Sequence, residues 1–208
     1  FMLQNNLWGR SAALAGGSQT SQITAVNGDK VAWQTSYEWA GGGFRHERRY
    51  ANLDLRVGIN KPLSSITSIP AAWNYTYAFA SCDLVADVSF DLWLSNMANT
   101  AGATSSSTFE IMIWLSARGG AGPIGYQVDS KTINGVTWGV FKGTVSNWTV
   151  FSFVASDEIT SFKQDLKPFF TYLINKQNVP SSHYLVQAQA GTEPFTGECF
   201  NSSPGCRY

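Results

Sequence analysis

Charged side chains are scarce in this chain of 208 residues, at 13% against roughly 25% in typical soluble domains. Basic and acidic residues number 14 each, so the formal net charge is zero. A chain without a strong field of either sign has little to attract phosphate, nucleic acid or an anionic membrane. We therefore expect neither nucleic acid nor a membrane as a partner.

Long apolar segments and a recognisable leader are also missing. No apolar run approaches the roughly 18 residues that would read as a membrane span. The chain opens directly into strand-like sequence, and we expect it to be a mature or trimmed form of a secreted protein. Cysteine is rare and odd in number, so at least one thiol is unpaired within the chain. Cys199 and Cys206 are close enough for a small loop disulfide, for which Cys82 could compete.

Several catalytic motifs are absent. The chain contains no HExxH, no CxxC and no G-x-S-x-G, which leaves a zinc site or a Ser-His-Asp triad without support. The glycine-rich segment Gly119–Gly125 lacks the Lys-Ser/Thr of a phosphate loop, which argues against nucleotide binding. No metal or organic cofactor is expected.

Aromatic residues are abundant, at 14% with 8 Trp, 8 Tyr and 13 Phe. Together with many glycines and serines, they are typical of secreted β-proteins that handle neutral, ring-shaped, polar ligands. Three sequons, at Asn74, Asn147 and Asn201, permit N-glycosylation without requiring it.

The segment Phe109–Leu115 organises the prediction, because its residues alternate as in a strand. One face is fully apolar and suits a core. The other face carries Glu110, Met112 and Trp114, which suits a cleft that binds a sugar, although a half-buried strand with one tolerated glutamate fits the pattern equally well.

The same period of two predicts further strands, and a period near 3.6 predicts one helix. The helix is expected over Ser161–Lys176, with Ser161 and Gln164 as a capping box and Pro168 as a kink or second start. A glycine- and serine-rich loop is expected over residues 9–21, and a charged hairpin end over 44–49. The expected strands cover residues 4–8, 31–39, 50–59, 73–79, 83–94, 136–141, 148–155 and 184–192. The chain is therefore predicted to be all-β and a single domain, with one helix packed on the back of a sheet.

Two glutamates stand out on these strands, Glu110 and Glu193. Glycoside cleavage in its common form needs two carboxyl groups, one of which protonates the leaving oxygen. Asp91 is a third acid that could bias the proton of a neighbouring carboxylate. From spacing alone, however, Asp91 is better explained as a solvated strand residue.

Six short motifs, in order and over nearly the whole chain, resemble glycoside hydrolase family 12. They are N-N-L-W-G at Asn5–Gly9, D-L at Asp91–Leu92, E-I-M-I-W-L at Glu110–Leu115, G-P-I-G at Gly122–Gly125, F-F-T-Y-L at Phe169–Leu173 and G-T-E-P-F-T-G at Gly191–Gly197. The resemblance implies a concave β-jelly-roll sandwich of two antiparallel sheets, with one helix on the convex side. It also implies cleavage of internal β-1,4-glucan bonds with retention of configuration.

On the matching positions, the resemblance implies Glu110 as the nucleophile, Glu193 as the general acid/base and Asp91 as the hydrogen-bonding neighbour of the nucleophile. It implies substrate contacts from Asn6, Trp8, Met112, Trp114, Pro123 and Phe195. The G-G-A-G-P-I form of the loop at Gly119–Ile124 is similar to fungal and oomycete xyloglucan-specific members. The expected partner is a β-glucan, xyloglucan or cellulose, and the expected state is a monomer.

The two ends depart from the family pattern. The chain begins just before N-N-L-W-G, and Thr20 stands where the family has a disulfide-forming cysteine. A final alternating strand is not recognisable after Gly197, so we expect a catalytic domain over residues 1–198 and a cysteine-containing tail over 199–208. An alternative is a weakly active or inactive relative that binds glucan or acts as a decoy for an inhibitor protein.

Overall fold

The computed structural model of the chain describes residues 1–8, 14–40 and 49–199, without the side chains of 14–16, 40 and 197–199. Thirteen strands and one α-helix lie in this part of the chain. The strands are β1 (Met2–Gln4), β2 (Leu14–Asn27), β3 (Lys30–Ala40), β4 (Ala51–Asp54), β5 (Lys61–Pro62), β6 (Pro70–Asn74), β7 (Val85–Ser95), β8 (Ser107–Arg118), β9 (Tyr126–Ile133), β10 (Val136–Val145), β11 (Trp148–Ala155), β12 (Ser161–Asp165) and β13 (Tyr184–Cys199). The helix is α1 (Lys167–Gln177). The predicted all-β class is confirmed.

The main sheet has the order β1-β4-β13-β7-β8-β11-β10-β9. Strand β3 pairs with the far end of β13, β2 pairs with β3, and β5 pairs with the beginning of β13. These pairings are antiparallel with one exception: β8 and β11 run parallel. The expectation of purely antiparallel sheets was therefore wrong at this pair, where β11 returns beside β8 only after the β9–β10 hairpin.

The hydrophobic core lies on one face of β7 and β8, the core face. Ile111, Ile113 and Leu115 are fully buried there, as the alternation in β8 predicts. The two-stranded sheet of β6 and β12 and helix α1 cover this face. Since α1 is short, the described residues include no helix long and apolar enough to cross a membrane.

The helix begins later than its periodicity suggests. Ser161–Asp165 forms strand β12 against β6, so the capping box at Ser161 was wrong. Pro168 lies at the first turn of α1, where its missing N–H costs nothing and its fixed φ favours helix initiation. Asp165 Oδ1 accepts hydrogen bonds from the backbone N–H groups of Lys167 at 2.9 Å and Ile69 at 2.7 Å. Pro168 therefore starts the helix instead of kinking it.

Several other boundaries differ from the prediction. Strand β2 occupies much of the expected loop over residues 9–21, because its backbone pairs with β3. The expected strand over 50–59 ends at Asp54, and Val57 is 78% exposed instead of facing inward. Arg49 is fully buried instead of lying on a solvated hairpin end. Residues 44–48 of that hairpin end lie outside the described part.

The end of the chain was partly mispredicted. Strand β13 continues past Thr192 to Cys199, and its last three residues pair with β3, so the strand is longer than its alternation indicates. Cys82 is disulfide-bonded. This agrees with the alternative prediction, in which Cys82 competes with the pairing of Cys199 and Cys206. The Cys199 side chain and residues 200–208, with Cys206 and Asn201, lie outside the described part.

Candidate active site

Strands β13, β7 and β8 are neighbours, and their register brings carboxyl groups to one common face. Glu110 on β8 lies opposite Trp93 on β7, and Glu193 on β13 lies opposite Asp87 on β7. Asp91 is between these two levels of β7. Because alternate residues of a strand share a face and paired residues lie on the same side, all these side chains project opposite to the core. We call this surface the acid-lined face.

Glu110 is largely withdrawn from solvent, with 7% of the residue exposed. The indole Nε1–H of Trp148 donates a hydrogen bond of 2.7 Å to Glu110 Oε2. Trp148 reaches this position because the parallel register sets Val150 of β11 opposite Glu110. A short hydrogen bond to a carboxylate is charge-assisted and favours the ionised form. The arrangement therefore holds the Glu110 carboxyl group in one orientation.

Asp91 is also buried, with 6% exposed. Its Oδ2 accepts a hydrogen bond of 2.9 Å from Trp93 Nε1, and Trp93 packs edge-on against Trp148 with ring centroids 5.2 Å apart. The two tryptophans thus support Glu110 and Asp91 in parallel, each indole holding one carboxyl group. The burial of Asp91 contradicts its interpretation as a solvated strand residue.

Glu193 is half-buried and lies next to a second acid, Asp87, which is fully buried. Burial raises the pKa of Asp87, and the negative charge of Asp91 raises it further. Hydrogen bonding from Ser89 and from the backbone and side chain of Glu193 acts in the opposite direction. The net shift of the Asp87 pKa is upward, so the neighbourhood of Glu193 retains protons more strongly than an exposed carboxyl group does.

Tyr50 lies over the same group of acids. Its hydroxyl donates a hydrogen bond of 2.9 Å to the backbone carbonyl of Ser89. Burial raises the Tyr50 pKa well above its ordinary value, and the charges of Asp91, Asp87 and Glu193 add to this shift. All three carboxyl groups are therefore close enough to act on one phenol.

The predicted sugar-contacting residues divide into a buried and an accessible group. Met112 is 9% exposed and Trp114 is 2% exposed, and both belong to an aromatic and aliphatic cluster on the acid-lined face against which Phe195 packs. Trp8 is 63% exposed. Asn6 and Pro123 are partly buried.

Asn6 is tied to the acid-lined face through Tyr50. Its backbone carbonyl accepts a hydrogen bond of 3.2 Å from the Tyr50 N–H. Its side-chain amide donates to Gln4, which also receives a hydrogen bond from Gln189 on β13. A polar row thus continues from β13 through β4 to β1, on the side away from Glu110.

Four residues of the site were not singled out from the sequence: Tyr50, Asp87, Trp93 and Trp148. Asp87 and Trp93 lie on the alternating acid face of the predicted strand over 83–94, so the pattern placed them without assigning them a role. Tyr50 and Trp148 are the first residues of two predicted strands, and the sequence pattern gives them no further role. Nothing local indicates that β11 returns parallel to β8, or that Tyr50 reaches across to Ser89.

Acids and tryptophans gathered on one sheet face, with a helix on the other, are the arrangement expected of a glycoside hydrolase of the predicted fold. The family model for glycosyl hydrolase family 12 matches residues 1–202. The chain belongs to this family.

Sequence and structure relatives agree with this assignment. The xyloglucan-specific endo-beta-1,4-glucanase A of Aspergillus niger is 44% identical over 200 residues, which is 95% of this chain and 79% of the relative. The inactive glycoside hydrolase XLP1 of Phytophthora nicotianae is 44% identical over 200 residues, covering 95% of this chain and 80% of that protein. The crystal structure of Trichoderma harzianum endoglucanase 3 superposes with a TM-score of 0.85 at 35% identity, covering 94% of this chain and 84% of that one.

Proposed function

We propose that the protein is a secreted endo-β-1,4-glucanase that cleaves internal bonds of xyloglucan with retention of configuration. The observation that carries this proposal is the acid-lined face, since three neighbouring strands present Glu110, Asp91 and Glu193 on the same side of the sheet. The similarity to xyloglucan-specific enzymes supports the choice of substrate. The disulfide at Cys82 is consistent with an oxidising compartment.

Cleavage begins with Glu110 as the nucleophile. Its carboxylate attacks the anomeric carbon while Glu193 donates a proton to the departing oxygen, and a glycosyl-enzyme results. Trp148 fixes the attacking carboxylate through the 2.7 Å hydrogen bond, and Asp91 is its acidic neighbour. In the second step Glu193 removes a proton from water, which releases the sugar and restores both carboxyl groups.

Glucan binding would use the remaining predicted residues. Trp8 has the exposed ring that can stack on a sugar, and Asn6 precedes it by two residues in the chain. Met112 and Trp114 form an apolar floor beside Glu110, with Phe195 and Pro123 at the margin of the site. No metal or organic cofactor takes part in this scheme.

Reducing-end release from xyloglucan and from carboxymethylcellulose tests the proposal in one assay. We expect xyloglucan to be the better substrate, Glu110→Gln to abolish turnover, and Glu193→Gln to lower it by about 10²–10⁴-fold, since general acid–base catalysis contributes that much. Both variants should keep the unfolding midpoint of the parent protein within a few degrees. Full activity in a folded Glu110→Gln protein would refute the assignment.

A second candidate follows from the similarity to the inactive XLP1 protein. In that case the acid-lined face binds glucan without cleaving it, or the protein binds an inhibitor protein and so acts as a decoy. The wild-type chain would then retain xyloglucan in an affinity gel while releasing no reducing ends. We favour the enzyme, because both glutamates are present and Glu110 is held by Trp148.

A further inference from the structure

Asp87 is a buried acid for which the scheme above has no use. It is fully buried in the middle of the sheet, although a carboxyl group without solvent is costly unless it is paired. Its register partner on β13 is Glu193, and its partner on β8 is Ala117, which has no charge. The one residue at its own level that can exchange a proton with it is therefore Glu193.

The hydrogen bonds of Asp87 are incomplete. Oδ1 accepts a hydrogen bond of 3.0 Å from Ser89 Oγ. Oδ2 is buried without a hydrogen-bond partner of standard geometry, although the Glu193 side chain acts on Asp87 at hydrogen-bonding range. A proton placed between the two carboxyl groups would satisfy Oδ2. No other titratable side chain pairs with Asp87 in the described part of the chain.

The surrounding charges favour such a shared proton. Asp91 lies four residues along the same face and repels a second negative charge at Asp87. Tyr50 covers the group from the segment before β4, remains neutral because burial raises its pKa, and adds no countercharge. Two carboxyl groups at hydrogen-bonding range, one of them fully buried and both near a third, do not both ionise readily at neutral pH.

We propose that Asp87 is a positioning residue that shares one proton with Glu193, so that the acid–base carboxyl group is protonated before substrate is cleaved. During cleavage the proton leaves Glu193 for the glycosidic oxygen, and the pair becomes a dianion that water reprotonates in the second step. Asp87 touches no substrate atom. It acts only by making the loss of the shared proton unfavourable, which extends the protonated state of Glu193 toward higher pH.

Carbon-13 NMR titration of the carboxyl groups tests the pairing without any substrate. In the wild-type protein we expect Asp87 and Glu193 to titrate as a coupled pair, with one of the two midpoints well above the ordinary carboxyl range. In Asp87→Asn the Glu193 midpoint should fall by about one pH unit or more, since the neighbouring charge is gone. In Glu193→Gln the Asp87 titration should lose its coupled form. Independent, ordinary midpoints for both acids in the wild-type protein would overturn the proposal.

The pH profile gives a second readout. Since this role rests on the proposed function, kcat/KM on xyloglucan should lose activity on the basic side at a lower pH in Asp87→Asn than in wild type. Thr192→Val is the matched control, because Thr192 Oγ1 donates a 2.7 Å hydrogen bond to the Asp87 carbonyl without touching either carboxyl group. Its basic limb should stay at the wild-type position.

The two readouts separate the possible failures. An unchanged basic limb in folded Asp87→Asn, with an unchanged Glu193 midpoint, would overturn the role of Asp87. A wild-type protein that cleaves no glucan would refute the proposed function, while the NMR titration would still decide whether the acids share a proton.

Discussion

At the residue scale, the acids of the site are held by indole N–H groups. Trp148 donates to Glu110 and Trp93 donates to Asp91, and both acids are nearly inaccessible to water. An indole is a donor only, so it can stabilise a carboxylate but cannot take its proton. This choice of partner orients Glu110 and Asp91 on the face that also carries Glu193, the proposed proton donor.

Trp148→Phe should therefore impair catalysis more than stability. The variant keeps most of the buried aromatic surface but removes the charge-assisted hydrogen bond to Glu110, worth about 1.5–3 kcal/mol. We expect kcat/KM on xyloglucan to fall roughly 10- to 100-fold. The acidic limb of the pH profile should move to higher pH, because the ionised form of Glu110, the proposed nucleophile, loses a hydrogen-bond donor.

Trp138→Phe is the matched control for this measurement. Trp138 is fully buried on the core face and donates a longer hydrogen bond of 3.3 Å to the Ile133 carbonyl. It undergoes the same chemical change away from the acids, so its pH profile should match that of wild type. An equal displacement of the acidic limb in both variants would show that Trp148 acts through general loosening of the fold.

The sequence predicted the acids of the site better than their partners. Glu110 and Asp91 lie on strands whose alternation is strong over seven residues or more, so their faces followed directly. Their indole donors depend partly on strand pairing. The alternation of a strand shows which face each of its residues lies on, but it does not show which strand lies beside it. Trp148 became a partner of Glu110 only through the parallel β8–β11 register.

At the element scale, a hydrogen-bond network near the surface links the end of β8 to the segment after β6 and to the segment between β11 and β12. Glu158, between β11 and β12, accepts hydrogen bonds from Ser116 at 3.0 Å and from Arg118 at 2.9 and 3.1 Å. Tyr75, just after β6, donates to the same carboxylate at 3.1 Å. Arg118 also stacks over the Tyr77 ring, 4.1 Å from its centroid. A single carboxylate thus joins three segments.

This network predicts a pH-dependent contribution to stability. Although partial burial opposes the shift, hydrogen bonds from Arg118 and Ser116 lower the pKa of Glu158 below its ordinary value of 4.5. The folded state therefore binds this proton less tightly than the unfolded state, and the contribution is present above that value and lost as pH falls through the folded pKa. Glu158→Gln should be less stable by about 1 kcal/mol at pH 7, because partial exposure screens the interaction.

Urea unfolding at pH 7 and below pH 4 checks this expectation. The difference between wild type and Glu158→Gln should shrink at the lower pH. Asp157→Asn is the matched control, since Asp157 is an exposed neighbour that bonds only with Ser156 among the side chains described. A constant difference for Glu158→Gln at both pH values would contradict the assignment of the effect to its ionised form.

Element boundaries were the least predictable feature, for identifiable reasons. Phe162 fits both the helical period and the alternation of β12. The segment forms a strand because its backbone pairs with β6, where Phe162 lies opposite Trp73. Strand β2 has no clear alternation, because its backbone pairs with β3 through two irregularities in register. In both cases tertiary pairing outweighed local preference.

At the scale of the whole molecule, β13 connects the parts of the fold. Its residues up to Thr196 pair with β4, β5 and β7, and its last three pair with β3. Glu193 lies near the point where the strand passes from one set of partners to the other. The position of Glu193, the proposed acid–base residue, therefore depends on how firmly both ends of β13 are held.

The disulfide of Cys82 is a covalent constraint at the same scale. Cys82 lies just before β7, and either of the other two cysteines is more than a hundred residues away along the chain, so the bond closes a long loop. Closing a long loop restricts the unfolded state, which typically stabilises the folded protein by about 2–4 kcal/mol.

Reduction of the wild-type protein should lower its unfolding midpoint by several degrees, and Cys82→Ala should show the lower midpoint without reductant. Thiol labelling of the denatured wild-type protein should find one free cysteine before reduction and three after it. Three free cysteines before reduction, or a midpoint that reductant leaves unchanged, would contradict a stabilising bond at Cys82.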